Sequence, residues 1–144
     1  MPKSKIYLPD INVWLALMVQ RHAHHKAARR WFEGPEAAAA ELAFCRVTQA
    51  GVLRLLTRPA VMAEDTLTQE EAWRLYREVE AGGPTVFLEE PPGLDRKWES
   101  ISSLAKSAFW NDGYLEAFAQ LWGATVITFD RGFVNRDRAR TVLL

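Results

Sequence analysis

Short β-like apolar runs alternate along this chain with longer segments of helical periodicity, and an aspartate stands at the edge of three of them. That alternation calls for an α/β fold with a central, mostly parallel sheet between helical layers, a three-layer α/β/α sandwich. Strands are expected at 6–8, 42–45, 85–88 and 125–129. Between them the spacing of apolar residues predicts helices. One starts after Asp10 with Val13, Trp14, Leu17 and Met18, and a second runs over about 24–32 and stops at Gly34-Pro35. Thr48 is placed to cap a helix through Val52, Leu53, Leu55 and Leu56 that ends at Arg58-Pro59. Thr68-Gln69-Glu70-Glu71 reads as a capping box, opening a helix that Gly82-Gly83-Pro84 closes. After Pro91-Pro92-Gly93 comes a helix with Leu94, Trp98, Ile101 and Leu104. Asn111 or Asp112 should cap the next one, and Gly123 should end it.

Asp10 follows the first strand, Asp112 opens a helical pattern, and Asp130 ends the most strand-like stretch in the chain. Taken singly, Asp10 and Asp112 read as helix caps and Asp130 as the start of a turn. Jointly they point further, because ligands of parallel sheets gather outside the carboxyl ends of the strands, where acids so placed can converge. Three crowded carboxylates raise one another's pKa unless a cation neutralises them. Oxygen donors without nearby Cys or His favour Mg²⁺, with Mn²⁺ as a substitute, over zinc.

The 144 residues, 49% of them hydrophobic, suffice for one domain spanning 1–144 with a real core. Basic and acidic residues cancel at 18 each, so overall charge does not advertise a polyanion partner. Arg131, Arg136, Arg138 and Arg140 crowd the end of the chain, so any polyanion should be met there and at the acids. Cys45 is the only cysteine, which excludes an intrachain disulfide and a cysteine-based zinc site. No run reaches transmembrane length, and the basic start is broken by Pro9 and Asp10, so a soluble protein of the reducing cytoplasm is expected.

Four segments in order along the chain resemble a PIN domain, and more narrowly the VapC-type toxins of toxin–antitoxin pairs: Asp10-Ile11-Asn12-Val13-Trp14-Leu15, the stretch from Cys45 to Thr57, Asp112-Gly113-Tyr114-Leu115, and Thr128-Phe129-Asp130-Arg131-Gly132-Phe133. The resemblance implies a Mg²⁺-dependent endoribonuclease held in check by a VapB-like antitoxin. It assigns Asp10, Asp112 and Asp130 to the acidic site, with Asn12 as a supporting polar group. One position departs from the pattern. Where many PIN domains carry Thr-x-x-Glu, Thr48 is followed by Gly51, which puts a second metal and the full rate in doubt. Gln49 is near but neutral, and Glu41 sits at the wrong end of its strand. Glu116, one helical turn after Asp112, is expected to be a solvated acid rather than a replacement.

Arg46, Arg54 and Arg131 flank the acid-bearing motifs as phosphate contacts or as ion pairs that hold the acids. His22, His24 and His25 read as a solvated or partner-facing cluster with Lys26, Arg29 and Arg30. Trp14, Trp31, Trp73 and Trp98 read as packing residues or as a helix–helix surface, whereas Trp110, just before Asp112, is a candidate for stacking on a base. The Trp14 and Trp31 region is also a candidate contact for an antitoxin, and a similar surface for a homodimer. Hydrolysis by metal-activated water on single-stranded or loop RNA is the reading these features favour. Two other classes stand beside it. One is a PIN-like module that binds RNA or antitoxin without cutting. The other is an acid-pocket phosphatase using Asp10 as nucleophile, against which Asn12 counts because such enzymes carry a second aspartate there.

Overall fold

The structure is a computed structural model that describes residues 5–103, 110–132 and 141–144. In chain order the elements are β1 (Lys5–Pro9), α1 (Ile11–Met18), α2 (His25–Phe32), α3 (Pro35–Ala38), β2 (Ala40–Phe44), α4 (Arg46–Leu56), α5 (Pro59–Met62), a 3₁₀ turn (Ala63–Asp65), α6 (Gln69–Ala81), β3 (Thr85–Phe87), α7 (Leu94–Ser103), α8 (Trp110–Trp122), β4 (Thr125–Thr128) and β5 (Thr141–Leu143). The five strands form one sheet in the order β3-β2-β1-β4-β5, and every pair is parallel.

Strand periodicity divides the core between two faces. Tyr7, Leu42, Phe44 and Ile127 enter one cluster with Val13, Trp14, Val52, Leu56 and Tyr76 from α1, α4 and α6. Their neighbours Leu8, Ala43 and Val126 turn the other way, into a cluster with Leu94, Tyr114, Leu115 and Phe118 from α7 and α8. Both faces being covered, the central residues of β1, β2 and β4 are mostly apolar, as parallel sheets require. Trp14 is fully buried and stacks on Phe44 with centroids 3.9 Å apart, so it cannot meet a partner protein as its sequence position suggested. Trp73 lies at the surface of α6, 42% exposed, with its ring edge-to-face with Tyr76 at 6.0 Å and the Arg77 guanidinium over it.

The capping box forms as expected: Glu71 N–H donates to Thr68 Oγ1 at 3.1 Å and Thr68 N–H to Glu71 Oε1 at 3.0 Å. Thr68→Ala should therefore cost about 1 kcal/mol, measured by chemical denaturation. Other expectations need correction. Thr48 is not the cap of α4. Cys45 is, and Thr48 lies inside the first turn, accepting Cys45 N–H at 3.0 Å. Asn111 and Asp112 likewise lie inside α8, which begins at Trp110. The short helices α3 and α5 and the last strand were not foreseen. β5 pairs with β4 beyond the arginine-rich segment, and Leu144 N–H donates to Thr128 O at 2.8 Å. Leu104, Phe133, Arg136, Arg138 and Arg140 lie outside the described residues.

Candidate active site

The chain builds β2 and β3 on one side of β1 and β4 and β5 on the other, so the sheet's topological switch point falls between β1 and β4. Asp10 and Asp130 leave the sheet there. Asp10 caps α1: its backbone N–H donates to Ile127 O at 2.9 Å, and its Oδ1 accepts Val13 N–H at 3.0 Å. The second carboxylate oxygen accepts the hydroxyl of Thr128 at 2.5 Å. Thr128 Oγ1 in turn accepts Asp130 N–H at 3.0 Å, and Asp130 Oδ1 accepts Gly132 N–H at 2.8 Å. One fully buried threonine thus ties together two acids that lie 120 positions apart. Sequence reasoning missed it. The available signal was a polar, β-branched residue as the last member of an apolar strand, two positions before an acid.

Asp112 occupies the first turn of α8, where the helix dipole favours negative charge. Its charge reaches Asp10. The Asp10 carboxyl is raised above the usual range first by burial and then by Asp112, against the hydrogen bonds from Thr128, Val13 and Asn12 that lower it. Asn12 supports Asp10 through its backbone N–H, while its side chain is exposed. Among the described residues, no three Asp, Glu, His or Cys side chains stand close enough to cage one ion. The interacting carboxylates of Asp10 and Asp112 are hard oxygen donors of the kind Mg²⁺ accepts, since that ion is commonly held by one or two carboxylates and completes its shell with water and substrate phosphate.

Gly51 explains the missing fourth acid. A Cβ there would lie 2.4 Å from Ile11 Cδ1 and 2.8 Å from Cγ1, so the residue after Asp10 already fills the space. Glu116 is not the solvated acid expected from sequence; it is buried at 8% exposure, one turn after Asp112 in α8. Thr48 and Gln49 are buried and act structurally, Thr48 on Cys45 and Gln49 as acceptor for Arg46 Nη1 at 2.5 Å.

Arg46 begins α4 at the carboxyl edge of β2, its guanidinium 4.8 Å from the Phe87 ring centroid. It opens on a pocket of about 450 Å³ shared with Glu80 and Glu89. Arg131 directly follows Asp130 and is exposed. Arg54 is not brought to the site: eight residues along α4 carry it about 12 Å from the helix start, to a groove shared with Gln69 and Trp73. The histidines lie closer than their sequence position implied. His24 stacks on Phe129, between Thr128 and Asp130, with centroids 4.5 Å apart, and His25 Nδ1 bonds Ala16 O at 2.8 Å. Cys45 is buried, and burial pushes its thiol pKa up, which keeps it unreactive.

Residues 7–139 match the PIN domain family. Ribonuclease VapC41 of Mycobacterium tuberculosis is 38% identical over 140 residues, covering 89% of this chain and 91% of that protein. Among solved structures, VapBC2 of Rickettsia felis bound to a promoter DNA fragment superposes with a TM-score of 0.67 at 10% identity, covering 96% of this chain and 98% of the other. VapC20 of Mycobacterium tuberculosis, a sarcin–ricin loop cleaving toxin, gives 0.66 at 15% identity, covering 91% and 95%. The chain belongs to the PIN domain family and, within it, to the VapC type.

Proposed function

We propose that residues 1–144 form one PIN domain acting as a metal-dependent endoribonuclease toxin, with Asp10, Asp112 and Asp130 as its acidic centre. The observation that carries this reading is the Thr128 link between Asp10 and Asp130 at the switch point, with the charge of Asp112 bearing on Asp10. Ribonuclease VapC41, 38% identical, supports the activity. One or two of these carboxylates would ligate Mg²⁺ or Mn²⁺ directly, the remaining acid acting through its water shell, and a bound ion supplies Lewis acidity at a phosphoryl oxygen and lowers the pKa of a coordinated water. Thr128 holds two of the acids in a fixed relation before RNA arrives, so little reorganisation is left for the reaction step. Arg46 and Arg131 lie at the same edge of the sheet to take the flanking phosphates. No helix among the described residues is long and apolar enough to cross a membrane. A cytoplasmic location and a homodimer belong to this reading.

Single-stranded or loop RNA is the substrate class, since its splayed bases enter a crevice that a duplex cannot. VapC20, which shares the fold, cleaves a loop. A VapB-like antitoxin is the inhibitory partner, as the Rickettsia felis VapBC2 assembly supports. Lys26, Arg29 and Arg30 are exposed on the helix that follows His24, Arg29 being paired with Glu33 at 2.7 Å. One observation favours the non-cutting module as a second reading: Ile11 occupies the place of the fourth acid.

Incubating a labelled small-RNA pool with purified protein in Mg²⁺, Mn²⁺ or EDTA, beside Asp112→Asn, separates the two. Discrete fragments that disappear with EDTA and with the variant are expected. Folded, antitoxin-free protein that cuts nothing in either metal would leave only the binding module.

A further inference from the structure

A cleft of about 620 Å³ opens between α7 and α8, lined by Asp95, Trp98, Glu99, Ser102, Ser103 and Trp110. Trp110 lies two residues before Asp112 in α8, so the cleft and the acidic centre share one end of that helix on different sides of it. Its indole is 63% exposed, the most exposed large apolar side chain among the described residues. Trp98 braces it edge-on, with ring centroids 6.3 Å apart and planes at 86°. Trp98 is itself fixed against Tyr114, at 5.2 Å and 85°, and against Gly113, where a Cβ would come within 3.3 Å of its indole nitrogen. The two rings meet at right angles, and most of the Trp110 indole remains exposed to solvent.

The polar part of the cleft is acidic. Asp95 and Glu99 are four residues apart on α7, so both carboxylates lie on one helix face at the rim. Such a rim repels phosphate and accepts hydrogen-bond donors. A stacking platform beside paired acceptors fits an unpaired base with a donor-rich edge. Guanine fits best, because its N1–H and N2–H₂ present two adjacent donors to one carboxylate, whereas adenine, cytosine and uracil each offer one donor group.

We infer that the α7–α8 cleft, with Trp110 as stacking platform and Asp95 and Glu99 as acceptors, is a nucleobase pocket that selects an unpaired guanine of the RNA. The inference rests on the ribonuclease reading for its biological setting, but binding in the pocket is measurable without cleavage. The test has two arms on the full chain. In the first, the indole N–H resonances of Trp98 and Trp110 are followed as guanosine, adenosine, cytidine or uridine 5′-monophosphate is added in EDTA. Both resonances should shift most with the guanosine nucleotide, and D95N/E99Q should bring its affinity down to that of the others. In the second arm, oligoribonucleotides differing only in one unpaired base near the cut are compared. Trp110→Ala should lose about ten-fold or more in kcat/KM, and D95N/E99Q should level the four sequences. Indoles that respond to none of the nucleotides overturn the pocket. So does a Trp110→Ala variant that changes oligomeric state in sedimentation while base selection stays intact, since the face would then be an interface between copies. A specific guanosine response with no RNA cleavage under any metal would retain the pocket and defeat the ribonuclease reading instead.

Discussion

Asp10→Asn will cut RNA cleavage by about 10³-fold or more and, in the same protein, raise the melting temperature when metal is absent. The first effect follows from removing a charge at the centre of the site. The second follows from the cost of holding that charge. The Asp10 carboxyl is raised by burial and by Asp112, so folding favours its protonated form. The stability this lends is complete below the unfolded aspartate value of about 3.9, and it is lost as pH rises through the raised folded value. At neutral pH the folded protein therefore carries an ionised group it would hold more easily neutral. Asparagine removes the charge and is as good a helix cap; its oxygen still accepts Val13 N–H, and its amide can donate to Thr128 Oγ1. The gap in melting temperature between variant and wild type should widen from pH 4 towards neutrality, by about 2–4 °C for each kcal/mol relieved. Added Mg²⁺ should reverse the order, because a ligand that binds only the folded wild type stabilises it by mass action. A variant less stable than wild type at every pH in EDTA would refute the burial argument, and one that still cuts within ten-fold would remove Asp10 from the chemistry.

The residues that carry this prediction were legible to different degrees. Asp10 and Asp130 could be placed because each ends an apolar run, and strand ends in a parallel sheet share one edge. The strand order and the threonine joining the acids could not be, since the bond from Thr128 to Asp10 spans 118 positions and no local pattern records it. Glu116 was misread for a related reason. Helix α8 is buried from Gly113 to Ala119 on nearly all sides, so it has no polar stripe against which an exposed acid would stand out. Arg54 misled by its nearness in sequence to a site motif, because a helix carries neighbours away at 1.5 Å per residue. β5 was hidden by brevity: three residues after a basic segment carry too little alternation to announce a strand. Thr48 has the residue type of a cap and does bond the helix start, but from three positions further in, a register that composition alone does not distinguish.

Gly51→Glu will fail to restore the acid that many PIN domains carry there, and it will disturb Asp10 on the way. The new Cβ would meet Ile11 at 2.4 Å and 2.8 Å on its outer carbons and at 3.3 Å on Cγ2. Rotation about χ2 can carry Cδ1 away, but Cγ1 and Cγ2 are set by χ1, which a β-branched side chain in a helix holds near one rotamer. Ile11 is also the first residue of α1, immediately after the cap, so pressure on it is transmitted to the carboxylate that Thr128 and Val13 position. Overpacking of this kind costs about 1–3 kcal/mol, and a buried carboxylate adds to it. Gly51→Ala isolates the steric part, less the gain of about 1 kcal/mol that alanine brings to a helix interior. Ile11→Ala combined with Gly51→Glu opens the space, and the pair should couple in a double-mutant cycle by about 1–2 kcal/mol, read from denaturation midpoints. The same double variant is then the one in which added acid can raise the metal-dependent rate. A single Gly51→Glu protein as stable as wild type and faster would show that Ile11 swings aside freely, and that the α1–α4 contact does not set the number of acids at this site.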